Sequence, residues 1–281
     1  MEDTIYRGLN GINIDTSSIC SIDGMKGELI YRGYDIRELA GKATYEEVVH
    51  LLWEGDLPDE AQYRRLQEEI RPNFAVPDGI IDILRALPKD TETMHALRTG
   101  ISALASFDED PDGVEPENIR RIGVKLLAQF ATVTAAFHRI REGLEPVAPD
   151  PDLSIAGNFL YMLNGERPSE AATRVMDVAL VLHAEHGSNA STFVARATAS
   201  TLTDAYSAVT AAVSSLKGPL HGGANSAVMK TLERIGSVDE VEGYVRGVLS
   251  DPKGRVMGFG HRVYKNYDPR AKVIQNLAHE V

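Results

Sequence analysis

Three histidine stretches carry the residues most able to do chemistry. "LHAEHGSNAS" sets His183 and His186 three apart at the end of a helical run, a spacing that puts both rings on one face. Three uses fit: a metal site with Glu185, an anion held by His186 just before Gly187, or capping of a helix C-terminus, where the dipole favours positive charge. "KGPLHGGANSAV" places His221 in a Gly-rich turn ahead of a helix that starts near Ala224. Glycines let a ligand approach the backbone, and a helix N-terminus disfavours imidazolium. A neutral imidazole there could donate a hydrogen bond to a developing enolate oxygen; otherwise it is a turn residue without duty.

"GFGHRVYKNYDPRA" is the third. Gly258 and Gly260 flank Phe259 and precede His261, and Arg262, Lys265 and Arg270 follow. Six Lys/Arg residues and one acid lie between Lys253 and Lys272, in a chain whose net charge is −12. Arg270 falls in the first turn of a helix, where its fork could take a carboxylate. A small anionic ligand suits so local a positive field; a solvated basic face is the plain alternative. The Gly-x-Gly has no strand before it and no third spaced glycine, so it is not a dinucleotide fingerprint.

The elements that must position these residues are nearly all helical. "ATYEEVVHLLWEG" has Thr44 and Glu47 in capping-box spacing and stops at Gly55. Further helices are expected from Asp59, over "DGIIDILRAL", "TETMHALRTGISALASF" and "NIRRIGVKLLAQFATVTAAFHRIREG", then up to Asn164-Gly165 and up to Gly187. "SVDEVEGYVRGVLS" carries a second capping-box pattern at Ser237 and Glu240, and "YDPRAKVIQNLAHEV" opens with Asp268 as N-cap and Pro269 at the first helical position. Near the N-terminus, "ICSIDGMKGELIYRGYDI" alternates around Asp23-Gly24 and Gly27, which predicts a β-hairpin. The fold class expected is all-α with a small N-terminal β-hairpin. A domain change is expected near Gly223, dividing 1–222 from 223–281. The acidic loop "FDEDPDGVEPE" reads as a solvated connection. The Ala/Ser/Thr-rich stretch from Ala190 to Leu216 reads as a close helix–helix seam, inside one subunit or between two.

Composition narrows the function. The acidic balance argues against nucleic-acid binding, because no excess of basic residues covers phosphates. No apolar run is long enough for a bilayer, and "MEDTIYRGLN" lacks a signal-peptide pattern, so a cytoplasmic location is expected. One cysteine, Cys20, excludes an internal disulfide and a multi-cysteine metal site, and reads as a half-buried core residue.

The motifs taken together, in order, resemble the citrate synthase family of the shorter bacterial and archaeal kind. "SIDGMKGELIYRGYDIRELA", "TYEEVVHLLWEGDLP", "NFLYMLNGERP", "LHAEHGSNASTF", "GPLHGGAN" and "GFGHRVYKNYDPRA" carry the likeness over essentially the whole chain. The resemblance implies a large helical domain, a smaller mobile one with the active site in the cleft between them, and a homodimer to whose interface helices near 190–216 contribute. It implies condensation of acetyl-CoA with oxaloacetate and water to give citrate and CoA, the first step of the tricarboxylic acid cycle. It implies no tightly bound cofactor and no metal: CoA enters as substrate. His221 looks like the histidine that stabilises the acetyl-CoA enol, and His261 like the one that polarises the oxaloacetate carbonyl. His186 and Arg270 resemble the groups that hold oxaloacetate. Val256, Met257, Gly258, Phe259 and Gly260 resemble the loop that cradles the adenine of CoA, and Lys265 a basic residue near a CoA phosphate.

The resemblance also marks a departure. The family's general base is an aspartate in a motif beyond "YDPRA", and residues 1–281 contain no match to it. The sequence stops within a helical pattern, and the expectation is a C-terminally truncated chain with little or no turnover. Close alternatives are a 2-methylcitrate synthase using propionyl-CoA and, further off, a citryl-CoA lyase-type module. A non-catalytic helical fragment and a histidine metalloprotein are the alternatives from other classes.

Overall fold

The computed structural model describes residues 12–261 and 263–278. Arg262, the opening residues read for a signal pattern and the final "HEV" lie outside it. Among the described residues no helix is long and apolar enough to cross a membrane.

The chain begins with a three-stranded antiparallel sheet, β1 (Cys20–Asp23), β2 (Glu28–Tyr31) and β3 (Tyr34–Asp35), in that order. Asp23 pairs with Glu28 at the hairpin end. The Asp23 carboxylate accepts the N–H groups of Met25 and Lys26, each at 3.0 Å, and Gly27 takes φ +68°, a conformation that glycine adopts without a Cβ clash. Leu29 and Tyr31, on one face of β2, are fully buried. They meet α1 (Ile36–Leu39), α2 (Tyr45–Glu54) and α8 (Glu170–His183) in one core that includes Ile36, Val48, Leu51, Val178 and Leu182.

The capping box at Thr44 and Glu47 forms as the spacing predicts, and Gly55 closes α2 at φ +100°. Asp59 caps α3 (Glu60–Ile70) in the same way. Next come α4 (Asp78–Ala86), α5 (Thr93–Leu104) and α6 (Pro116–Arg141), a helix of 26 residues and about 39 Å. One flank of α6 joins Ile80, Leu84, Leu97, Ile101 and Tyr206 in a second core. Its small residues Ala128, Ala131 and Ala135 join Val49, Leu66, Ile70 and Met162 in a third, which brings in α3 and α7 (Ile155–Asn164).

α9 (Ala190–Ala199) and α10 (Ala205–Leu216) form an Ala/Ser/Thr-rich hairpin that packs on itself, with α10 against α5 and α6. No residue of α9 is buried. The same holds for α11 (Gly223–Ile235) and α12 (Val241–Leu249), where Met229, Leu232 and Leu249 stand exposed. The last helix, α13 (Pro269–Leu277), returns to α1 and α8 and places Leu277 in the core beneath the sheet.

Three expectations are corrected. α8 ends at His183 rather than near Gly187, because the Tyr31 hydroxyl donates to Glu185 O at 2.7 Å and draws the chain out of helical register. Ser237 and Glu240 do not form a capping box: Glu240 N donates to Ser237 O at 3.2 Å in a 3₁₀ turn, and α12 starts only at Val241. The acidic loop is not wholly solvated. The Asp108 side chain is 1% exposed, with Arg121 Nη2 at 2.6 Å, Lys125 Nζ at 2.8 Å and the Tyr206 hydroxyl donating at 2.8 Å. Burial works against that carboxylate's ionisation, but these donors outweigh it and hold its pKa well below the usual range.

The hairpin turn also supports a distant segment. Lys265 N donates to Gly24 O at 2.9 Å, and Asn266 Nδ2 donates to Met25 O at 2.8 Å. A Cβ on Gly24 would come within 2.8 Å of the Val263 carbonyl carbon.

Two outcomes follow from this packing. Gly24→Ala lowers stability in a denaturant titration by about 1–3 kcal/mol, the usual cost of overpacking; an unchanged midpoint refutes the close approach. Asp108→Asn costs on the order of 2–3 kcal/mol at neutral pH. Because the folded-state pKa of Asp108 is depressed, its contribution is complete above the unfolded value near ~4 and fades only as pH falls below it. Wild type and variant therefore converge in strong acid, and a pH-independent gap counts against the charge argument.

Candidate functional site

The end of α8, the segment 256–268 and the start of α13 together hold most of the residues expected to do chemistry. His186 lies past the end of α8, half-buried, while His183 points out to solvent with Nδ1 2.6 Å from Ala179 O. The two rings therefore do not share a helix face. Among the described residues there is no group of three or more His, Cys, Asp or Glu that could hold a metal ion.

His261 comes to His186 from across the chain. Their ring centroids are 5.5 Å apart, edge to face at 69°. Tyr264 completes the cluster, its ring 5.5 Å from His186 and 4.9 Å from His261, with its hydroxyl 3.0 Å from His186 Nε2. His261 Nδ1 accepts the backbone N–H groups of Val263 at 3.0 Å and Tyr264 at 3.2 Å. A neutral His261 therefore carries its proton on Nε2.

Arg270 enters from the first turn of α13. Its fork binds Asp268, Nε to Oδ1 at 3.0 Å and Nη2 to Oδ2 at 2.7 Å, and the same carboxylate caps the helix by accepting Arg270 N. Both side chains are largely buried, at 18% and 23% exposed. Nη1 reaches toward Leu182 O at 3.5 Å, so α8 also steadies the guanidinium.

Charge and burial act in the same direction on the histidines. Burial, then the positive charges of Arg270 and a protonated His261, pull His186 down to about 4. Burial is also the largest effect lowering His261, with Arg270 and Lys265 adding to it and Asp268 opposing. Both rings are thus neutral hydrogen-bonding groups at pH 7, beside a cation that stays charged. Cys20, half-buried, is pushed up to about 11, first by burial and then by Glu185, as suits a protonated core thiol.

His221 sits one residue before the Gly222 cap of α11. Its Nε2 lies 2.8 Å from Ser191 Oγ, and that hydroxyl also reaches Ala212 O at 3.0 Å. Ser191 is in the first turn of α9, five residues after His186, so the hairpin α9–α10 ties His221 to the segment that carries His186. Residues Val256–Gly260 form a loop with Gly258 at φ +87° and Gly260 at φ +85°; Phe259 is 82% exposed. A Cβ on Gly258 would meet Val228 of α11 at 3.1 Å, so this loop lies against the helix that follows His221. Lys265 is exposed on the segment held by Gly24.

The structure thus brings His186, His261 and Arg270 together, and connects His221 to them through Ser191. Sequence reasoning missed Tyr264, Ser191, Tyr31 and the pairing role of Asp268. Only Asp268 had a sequence signal, its N-cap position. A cavity of about 480 Å³ lies elsewhere, against Thr44, Ser154, Glu170 and Asp177, and none of the site histidines lines it.

A titration checks this electrostatic picture. His186 followed by NMR protonates near pH 4, and Arg270→Gln moves that midpoint upward, since a neighbouring positive charge is gone. The return toward ~6.5 is incomplete, because burial, the larger cause, persists. A midpoint already near 6.5 in the wild type refutes the picture.

Comparison with known proteins gives the family. The family model "Citrate synthase, C-terminal domain" matches residues 8–281. A citrate synthase of Deinococcus radiodurans is 46% identical over 99% of this chain and 73% of its own length. A 2-methylcitrate synthase 1 of Corynebacterium glutamicum is 42% identical over 96% of this chain and 72% of its own. Among solved structures, the citrate synthase of Thermoplasma acidophilum, in ternary complex with carboxymethyl coenzyme A and oxaloacetate, superposes with a TM-score of 0.93 at 33% identity, covering 99% of this chain and 73% of that one. A family model over nearly the whole chain and close relatives that share most of their own length with it lead to one conclusion: the chain belongs to the citrate synthase family.

Proposed function

We propose that the protein condenses acetyl-CoA with oxaloacetate and water to give citrate and CoA. The observation that carries the reading is the neutral histidine pair, His186 and His261, held beside Arg270. Oxaloacetate needs a cation for its carboxylates and a donor for its ketone. Arg270 offers the first and His186 adds a hydrogen bond. The Nε2–H of His261 is the donor that draws charge onto the ketone oxygen and makes its carbon electrophilic. A neutral donor polarises that oxygen without giving its proton up too early.

The thioester partner has weakly acidic methyl protons, so a base must remove one while a donor stabilises the enol oxygen. His221 at the start of α11 takes that donor role. Ser191 steadies the ring, its Oγ lying 2.8 Å from His221 Nε2 while its hydroxyl donates to Ala212 O at 3.0 Å. The loop 256–260, with two left-handed glycines, is suited to laying backbone against the adenine of CoA, and Lys265 to a phosphate. CoA comes and goes as substrate; no tightly bound cofactor is part of the reading. Closure of a smaller domain over the cleft would exclude water until the carbon–carbon bond has formed. Hydrolysis of the citryl-CoA thioester then drives the reaction forward.

We assign no general base within residues 1–281. Both Asp268 oxygens are engaged by Arg270, and Glu185 accepts Gly187 N at 2.5 Å. A polypeptide of these residues alone should therefore bind ligands and turn over slowly. The reading extends to a cytoplasmic enzyme of the tricarboxylic acid cycle, working as a homodimer; the small-residue surface of α9, unburied within one chain, supports a partner there. Use of propionyl-CoA is the second reading, favoured by the 42% identity to a 2-methylcitrate synthase. One methylene changes discrimination by only ~1–3 kcal/mol, so it rests on pocket detail.

Calorimetry and turnover test the proposal on residues 1–281. Oxaloacetate should give heat that His261→Ala and Arg270→Gln each abolish; no heat from the wild type refutes the reading. Citrate formation should fall about 100–10,000-fold below that of an enzyme supplied with its base. Ordinary turnover would show that a base lies within these residues. Competition between acetyl-CoA and propionyl-CoA decides the second reading.

A further inference from the structure

Tyr264 packs against both histidines and is 4% exposed. Its hydroxyl has one hydrogen-bond partner among the described residues, His186 Nε2 at 3.0 Å. Its backbone N–H has another, His261 Nδ1 at 3.2 Å. We propose that Tyr264 is a positioning residue that sets the tautomer of His186 through its side chain and, together with Val263, the opposite tautomer of His261 through its main chain.

The argument runs through proton counting. A neutral imidazole has one N–H and one bare nitrogen, and a neighbouring donor claims the bare one. Among the described residues the phenol has no acceptor other than His186, so its O–H donates to Nε2 and the imidazole proton resides on Nδ1. Burial and the charge of Asp268 push the phenol up to about 12, so it keeps its proton at any working pH. At His261 the donors are the N–H groups of Val263 and Tyr264, both on Nδ1, which places the proton on Nε2. The two neutral imidazoles beside Arg270 therefore carry their protons on opposite ring nitrogens. The edge-to-face contact of Tyr264 with His186, at 74°, holds the ring in place for this. The functional consequence rests on the oxaloacetate reading above; the tautomer assignment does not.

The test is long-range ¹H–¹⁵N correlation spectroscopy on histidine-labelled protein at pH 7. In the wild type His186 should show a protonated Nδ1 and a bare Nε2, and His261 the reverse. Tyr264→Phe keeps the ring and the backbone N–H but removes the hydroxyl. It should release His186 toward the Nε2–H form and leave His261 unchanged. Oxaloacetate affinity should fall about tenfold, the worth of one hydrogen bond to a charged ligand. His186 protonated on Nε2 in the wild type, or a variant that shifts both rings or neither, overturns the proposal. A shift at His186 with affinity unchanged overturns its bearing on binding. If Tyr264→Phe fails to fold, the wild-type pattern alone decides the tautomers. Absence of oxaloacetate binding by the wild type refutes the functional reading instead, and leaves the tautomers to be judged by the spectrum.

Discussion

One hydrogen bond between distant stretches of backbone governs the site: Lys265 N to Gly24 O, at 2.9 Å. It joins the tip of an N-terminal hairpin to a segment more than two hundred residues later. Residues 263–267 have no regular secondary structure of their own. Their backbone groups need partners, and the hairpin turn provides them through Gly24 and Met25. The approach is so close that the turn has no room for a side chain at Gly24. Once the segment is held, His261 and Tyr264 have fixed places, and Asp268 can begin α13.

The other half of the site depends on the same hairpin. Tyr31, on the buried face of β2, donates to Glu185 O and ends α8 early. With Glu185 accepting Gly187 N and Gly187 at φ +66°, this turns His186 out of the helix and toward His261, while His183 stays outside. Burial in this corner then makes the chemistry specific. It keeps His186 neutral and the phenol of Tyr264 protonated, and it leaves Arg270 as the charged group, balanced by Asp268. An anion entering would meet two neutral donors and one cation, with little water to compete.

Stability and reactivity are spread unevenly over the chain. The three cores lie under the sheet, around α6 and beneath α7, and all of them hold residues from several helices. No residue of α9, α11 or α12 is fully buried, though each has apolar side chains or a small-residue face. The residues expected to contact CoA, 256–260, lie against this less buried part, whereas the groups expected to hold oxaloacetate lie against the buried one. A rigid anion site beside a lightly packed region is consistent with a reaction in which one part closes over another.

Much of this was legible in the residues. Capping pairs such as Thr44 with Glu47, and Asp268 before Pro269, specify helix starts locally, because the hydrogen bonds lie within one turn. Asp23-Gly24 and Gly27 specified the hairpin for the same reason. The ordered motifs marked His186, His221, His261 and Arg270 as a set. What the residues alone did not decide was contact between stretches far apart in sequence. Asp108 sat in an acidic loop that reads as solvated, and only the nearness of Arg121, Lys125 and Tyr206 made burial of its charge favourable. Ser237 and Glu240 had capping spacing, yet a 3₁₀ turn took their backbone. Ser191 and Tyr264 carry no local signature. Their roles arise because a hydroxyl within about 3 Å of an imidazole nitrogen orients its proton, and only tertiary packing sets that distance.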